Sequence, residues 1–217
     1  MTNNVRTIEG GLYLVIDPVK GLELVLPAVQ QALEGGVDII QVWNHWAPEQ
    51  HKIVFIHEIC ELAHAHRVPV LIHDDWQLMQ HTSSDGVHFD EIPADIAGIR
   101  REVGRPFLCG ITCGNDLQKV QWAIDHAFDY VSFCSMFPSG TANSCELVAL
   151  ETVQAARSMT NIPIFVAGGI TPETIPALAS AGMNGVAVVS GIMNTQDPRQ
   201  KTLNYKQALY QLKQITP

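Results

Sequence analysis

The sequence predicts a single-domain α/β protein, a (β/α)8 or TIM barrel running over residues 1–217. Three observations carry that expectation. Eight short β-rich runs alternate with longer helical patterns at about 27 residues per unit, the arithmetic of an eightfold barrel. Most of the runs are nearly continuously apolar, as parallel strands covered on both faces are. The rival architecture, a doubly wound sheet, usually opens with a Gly-rich fingerprint after its first strand. Here the first run ends Ile16-Asp17-Pro18-Val19 instead.

The eight runs are Leu12–Ile16, Val37–Val42, Val68–Ile72, Gly86–Phe89, Phe107–Ile111, Tyr130–Cys134, Ile162–Val166 and Gly185–Val189. Between the first two, Leu22, Val25, Leu26, Val29 and Leu33 recur at helical spacing, and Gly35-Gly36 stops the helix. Pro48 suits the first turn of a second helix, whose apolar stripe is Ile53, Ile56, Ile59, Cys60 and Ala63. Asn115 reads as the cap of a helix running toward Ala127. Thr171-Pro172-Glu173 reads as a cap and first turn, with the helix ending near Gly182. A single turn follows Val189, and Leu203, Ala208, Leu209 and Leu212 line a last helix.

Composition excludes several classes. Of 217 residues, 47% are hydrophobic and 16% charged, so the chain can bury a core and is not disordered. Thirteen Lys and Arg against 22 Asp and Glu leave a net charge of −9. A duplex nucleic-acid binder needs a basic face, and an anionic membrane surface attracts one; no such cluster exists here. No apolar run approaches the roughly 18 residues of a transmembrane helix. The start, MTNNVRTIEG, lacks a signal-peptide pattern. The five cysteines show no Cys-x-x-Cys pairing. Together these predict a cytoplasmic protein with reduced thiols.

In a barrel the chemistry sits at the C-terminal ends of the strands. Those ends carry Asp17, then Gln41, Trp43 and His45, then His73-Asp74, then His88, Asp90 and Glu91, then Thr112-Cys113, and Ser132 through Ser135. The seventh ends in Gly168-Gly169 and the eighth in Val189-Ser190-Gly191. The ring is rich in His and Asp and poor in Lys and Arg. The last two loops are where barrels hold a phosphate on backbone N–H groups and a short helix. Gly168, Gly169, Val189 and Ser190 are therefore the expected phosphate-binding residues, although Gly168-Gly169 would also serve a plain tight turn. Trp43 either stacks on a flat heteroaromatic ring or plugs the mouth. His88 reads as a structural hydrogen-bonder. Cys109, Cys113, Cys134 and Cys145 read as small buried hydrophobes before they read as zinc ligands.

LYLVIDP near the start, EGGVDIIQ at 34–41, SDGVHF at 84–89, DYVSFCSMFPSGT at 129–141 and IPIFVAGGITPETIPALASAGMNGVAVVSGI at 162–192 resemble the thiamine phosphate synthase family, which includes thiazole tautomerases. The resemblance covers nearly the whole chain. It implies a reaction that joins a pyrimidine methyl diphosphate to a thiazole phosphate, with loss of pyrophosphate and help from Mg²⁺. It also implies that the pyrimidine ionises first, so that catalysis is stabilisation of a departing diphosphate.

Carried over residue by residue, the resemblance implies Gln41, Trp43, Thr112, Ser139 and Thr141 as substrate-binding residues. It implies Asp74, with Asp90 or Glu91, as Mg²⁺ ligands, weak without substrate because Mg²⁺ draws ligands from substrate phosphates. The chain also departs from the pattern. Where the family has Gln-x-Arg-x-Lys, it has Gln41, Trp43 and His45; where the family has Asn-Asp, it has His73-Asp74. Where the family has Pro-Thr-x-Thr-Lys, it has Pro138-Ser139-Gly140-Thr141-Ala142. Three diphosphate-facing cations are thus replaced by neutral residues. His45 and His73 become the expected acid–base residues, since His titrates nearest neutrality. A thiazole tautomerase-like enzyme, or a non-catalytic thiazole-phosphate-binding regulator, is the alternative, although the family's tautomerases place a His where this chain has Thr112-Cys113. The expected partners are these small molecules, with no nucleic acid or membrane; a homodimer is a further allowed assembly.

Overall fold

The computed structural model describes residues 7–138 and 146–215. Eight parallel strands close into a barrel in sequence order, β8 pairing back onto β1. The strands are β1 Gly11–Ile16, β2 Ile39–Val42, β3 Val70–His73, β4 Gly86–Phe89, β5 Leu108–Thr112, β6 Tyr130–Cys134, β7 Ile164–Ala167 and β8 Gly185–Val188. The helices are α1 Leu22–Glu34, α2 Lys52–Ala65, α3 Ile96–Val103, α4 Leu117–Asp125, α5 Leu150–Met159, α6 Ser190–Met193 and α7 Pro198–Ile215.

Each β-rich run becomes a strand whose ends fall within two residues of the run's. The connections depart further. Pro48 lies in a turn, and α2 begins at Lys52. The cap of α4 is Asp116, whose carboxylate accepts from the Gln118 and Lys119 N–H groups at 2.8 and 3.3 Å. Asn115 instead ties this loop to the next, donating to the Leu147 carbonyl at 3.1 Å and accepting from Ala149 N–H at 3.2 Å. Between β7 and β8 the chain makes a 3-10 helix over Ile175–Ala181 rather than an α-helix from Thr171. Pro176 lacks the N–H that an α-helix begun at Thr171 would bond to the Pro172 carbonyl, whereas Pro172, in the first turn, costs no such bond. In α7 the inward stripe is Thr202, Tyr205, Leu209 and Leu212, and Leu203 faces out.

The pleat has a period of two, so alternate residues of each strand point into the barrel. Tyr13, Ile39, Leu71, Leu108, Tyr130 and Phe165 form an inner core, with Ile8 below. The large outer core lies between strands and helices. Small inward residues make room for large ones: a Cβ at Gly110 would run into the Tyr130 ring.

At the N-terminal face one hydrogen bond recurs four times. Asp38 accepts from Leu12 N–H at 2.7 Å, Asp85 from Val70 at 2.8 Å, Asp129 from Cys109 at 2.7 Å and Asn184 from Ile164 at 2.9 Å. Each acceptor precedes an even-numbered strand and holds the start of the odd-numbered strand before it. Lys206 Nζ (2.6 Å), His64 Nε2 (2.8 Å) and Arg157 Nη1 (2.9 Å) bond to Asp38, Asp85 and Asn184.

Candidate active site

The next inward layer opens into a cavity of about 960 Å³ at the C-terminal ends of the strands. Its floor is Tyr13, Val15, Gln41, His73, His88 and Thr112. Period two selects these residues: Tyr13 tops the inner core, Val15, Gln41 and His73 lie two beyond Tyr13, Ile39 and Leu71, Thr112 lies four beyond Leu108, and His88 pairs with His73 across the sheet.

On one side stand His73, Asp74 and Asp90, whose ligand atoms lie within 4.8 Å of one another. His73 is buried, with Nε2 3.0 Å from an Asp90 oxygen and 3.4 Å from an Asp74 oxygen. The Asn44 N–H approaches its Nδ1 at 3.4 Å. Asp74 sits at φ 57°, and its other oxygen accepts from Asp90 N–H at 3.0 Å. His73 beside it holds the Asp90 carboxyl below the usual carboxylate range, against the opposing effect of burial. Two adjacent carboxylates at a cavity edge are hard oxygen donors of the kind Mg²⁺ takes, so this donor set fits the metal.

On the other side are Gly168 and Gly169, both at positive φ (88° and 64°), and the first turn of α6. Ser190 and Gly191 open that helix, so their N–H groups have no intrahelical acceptor. Gly168, Gly169, Val189 and Ser190 all line the cavity. The space behind the glycines is taken: a Cβ on Gly169 would lie 2.6 Å from the Pro138 carbonyl oxygen and 2.8 Å from Phe137 Cβ. Glycine is required there by the neighbouring loop as well as by φ.

A chain of hydrogen bonds crosses the floor. Thr112 Oγ1 is 2.8 Å from His88 Nε2, His88 Nδ1 is 2.8 Å from the Tyr130 hydroxyl, and that is 2.9 Å from the Tyr13 hydroxyl. Tyr13 in turn donates to Gln41 Oε1 at 2.6 Å. Burial lowers the His88 pKa to about 3, with His73 adding to the effect, and burial raises both tyrosines. The chain is therefore neutral at physiological pH. This shift gives the protein an acid-sensitive stability. His88 binds its proton far more weakly folded than unfolded, so the unfolded state holds more protons below pH 6.5. The metal-free protein should lose stability as pH falls from about 6.5, by up to about 1.4 kcal/mol per pH unit from this one group. Urea unfolding at pH 7, 6 and 5 measures the slope, and His88→Asn should flatten it.

The remaining expected residues divide. Trp43 lines the cavity. His45 does not: it stands on the rim, its side chain 55% exposed, with Nδ1 3.1 Å from Asp17. Ser139, Thr141, Ala142 and Cys145 lie outside the described residues. Two cations on the wall, Lys119 and Lys201, belong to helix-side positions that strand ends do not point to. Lys119 Nζ is 2.6 Å from a Glu91 oxygen and donates to the Asp90 carbonyl at 3.2 Å. One sequence signal marks it. Lys119 is in the first turn of α4, where a cation works against the helix dipole and so invites a reason.

A closed parallel barrel with an acidic cluster and a pair of glycine-rich turns facing each other across its C-terminal mouth defines a (β/α)8-barrel enzyme. The chain belongs to the thiamine monophosphate synthase family, whose model matches residues 12–192. It is 32% identical over 211 residues to the thiamine-phosphate synthase of Nitrosococcus oceani, covering 95% of this chain and 94% of that one. It is 30% identical over 195 residues to that of an Azoarcus species, covering 90% and 95%. These relatives make the chain a transferase-family enzyme. The fold matches the solved thiamine phosphate pyrophosphorylase of Pyrococcus furiosus with a TM-score of 0.79 at 22% identity, covering 94% and 97% of the two chains.

Proposed function

We propose that the protein is a thiamine phosphate synthase, joining a pyrimidine methyl diphosphate to thiazole phosphate with release of pyrophosphate. The observation that carries this is the two-ended cavity, with His73 and Asp90 lining one end, Asp74 beside them, and Gly168, Gly169 and Ser190 at the other. A reaction between a diphosphate and a monophosphate needs two such ends. Asp74 and Asp90 would hold Mg²⁺, which neutralises the diphosphate when bound. The bond between the pyrimidine methylene carbon and the diphosphate oxygen breaks, and its electron pair leaves with pyrophosphate. The thiazole nitrogen then supplies its lone pair to that carbon.

Trp43 and Ala142 are uncharged side chains and His45 is turned out to Asp17, so Lys119 takes up the cationic role at the diphosphate end. Its ammonium is held beside Asp90, next to where the metal-bound diphosphate would lie. Gln41 and Thr112 face the pyrimidine, and Trp43 offers a ring face for stacking. The backbone at Gly168, Gly169, Val189 and Ser190 receives the thiazole phosphate.

The test is pyrophosphate release with both substrates and Mg²⁺, alongside detection of the joined product. Equal amounts of product and pyrophosphate are expected. Lys119→Ala should lower kcat/KM for the diphosphate roughly 10- to 100-fold, the value of one charge-assisted hydrogen bond. Absence of pyrophosphate with both substrates present, or turnover of thiazole phosphate alone, would overturn the proposal.

A further inference from the structure

A phosphate monoester, the group proposed to bind at Gly168, Gly169 and Ser190, carries a charge of about −1.5 to −2 at neutral pH. The two turns offer it backbone N–H groups but no charged side chain. The helix α6 is a single turn of four residues, so little macrodipole stands behind it. The chain as a whole has a net charge of −9. A dianion at this end of the cavity therefore needs a cation from elsewhere.

Two residues of α7 face that end. Lys201 and Tyr205 both line the cavity, together with Ile170, Thr171 and Gly191. They lie four apart and so share one side of the helix. The Lys201 ammonium sits 5.9 Å from the centre of the Tyr205 ring. Tyr205 is fully buried, and burial pushes its phenol up to about 12, so the hydroxyl keeps its proton. It donates to the Ile170 carbonyl at 2.9 Å, one residue after Gly169. It also fills the space beside Gly191, where a Cβ would run into the hydroxyl. One side chain thus braces both turns.

Lys201 is the uncommitted cation of the cavity wall. Its counterpart Lys119 is 2.6 Å from a Glu91 oxygen. Among the described residues no carboxylate lies within 4.0 Å of the Lys201 ammonium, whose close partner is the Tyr205 ring. Glu173, exposed on the β7 loop, feels it at longer range. Hydrogen bonds from Thr171 and the backbone hold that carboxyl below its usual range, and Lys201 adds a smaller share. Lys201 also stands in the first turn of α7, where a cation opposes the helix dipole. Both residues lie beyond residues 12–192, the span that the family model matches.

We infer that Lys201 is a ligand-binding residue that pairs with the thiazole phosphate, and that Tyr205 is the positioning residue that holds the two turns around it. The last helix then completes the anion end, as Lys119 of α4 serves the diphosphate end. This inference rests on the reading of the two turns as the phosphate site.

The test is calorimetry of thiazole phosphate and of the unphosphorylated thiazole alcohol with the wild type, Lys201→Met, Lys201→Arg, Tyr205→Phe and Gly169→Val. Lys201→Met keeps an unbranched stem on the Tyr205 ring and removes the charge. It should weaken thiazole phosphate about 10- to 30-fold, the value of a charge-assisted hydrogen bond partly open to water. The alcohol should stay within about twofold of wild type. The remaining phosphate affinity should fall less steeply with added salt, since one ion pair is gone. Lys201→Arg should restore most of the loss. Tyr205→Phe keeps the ring and drops the bond to Ile170, and it should cost about 3- to 10-fold, again on the phosphate alone. An unchanged phosphate-to-alcohol preference in Lys201→Met, an equal loss for both ligands in either variant, or Lys201→Arg as weak as Lys201→Met would overturn the inference. If Gly169→Val still loses the phosphate in that case, the turns remain the site and Lys201 alone is excluded. Failure of the wild type to bind thiazole phosphate would remove the functional reading as well.

Discussion

Asp90→Ala should lower synthase turnover by at least two orders of magnitude and abolish its dependence on Mg²⁺. The carboxylate sits between the proposed metal-binding edge and the barrel floor, with one oxygen 3.0 Å from His73 Nε2. Losing a metal that stabilises a departing diphosphate forfeits several kcal/mol of transition-state stabilisation, and each 1.4 kcal/mol is about tenfold in rate. Asp90→Asn keeps the shape and removes the charge, so it should be nearly as impaired while folding normally. Asp74→Ala should act in the same sense. Calorimetry of Mg²⁺ binding in the presence of pyrophosphate separates loss of metal from loss of fold. Unchanged Mg²⁺ dependence in all three variants would place the metal elsewhere.

Gly169→Val should raise the KM for thiazole phosphate about 100-fold or more. A β-branched residue at φ 64° is strained by about 1–3 kcal/mol. Its Cβ would also lie 2.8 Å from Phe137 Cβ, which forces the β7 loop away from its neighbour. The backbone proposed to meet the phosphate moves with it. Ser190→Ala offers the gentler comparison, removing one hydroxyl and costing about 10- to 100-fold if that hydroxyl bonds the phosphate. Crystals soaked in phosphate should show an anion between the two turns in the wild type and none in Gly169→Val. An anion still bound there in the valine variant would show that the turn does not make the site.

Most of the barrel is legible in the sequence because parallel strands buried on both faces need little but apolar residues, and eight such runs at a steady interval suit few architectures besides a barrel. Connections are less legible. Asn115 and Asp116 are both good caps, and only the chain's path decides that Asp116 caps α4 while Asn115 reaches Leu147. The mouth residues Gln41, Trp43, His73, Asp90 and Thr112 could be named because they end strands. Tyr13 and Tyr130 lie within strand bodies, where an aromatic reads as core. Counting inward by two from Val15 and from Ser132 reaches both. Lys119 belongs to a helix, and a search confined to strand ends passes over it. His45 follows Trp43 by two and so shares its face by parity, but β2 has ended at Val42 and the chain has turned outward to Asp17.

The fourfold bond at the N-terminal face divides the barrel into equal parts. Asp38, Asp85, Asp129 and Asn184 each join one strand to the next within a pair, β1 with β2, β3 with β4, β5 with β6 and β7 with β8. The chain is thus four strand–connection–strand modules in tandem, each fastened at its base by one acidic or amide side chain. Modules fastened individually can diverge individually. The connection from β3 carries only a short 3-10 helix over Trp76–Gln80, and that from β7 one over Ile175–Ala181, with the fastening present in both. The fasteners lie at the opposite end of the strands from the cavity. A lineage could therefore exchange arginine and lysine at the mouth for tryptophan and histidine without touching the bonds that keep the eight strands in register.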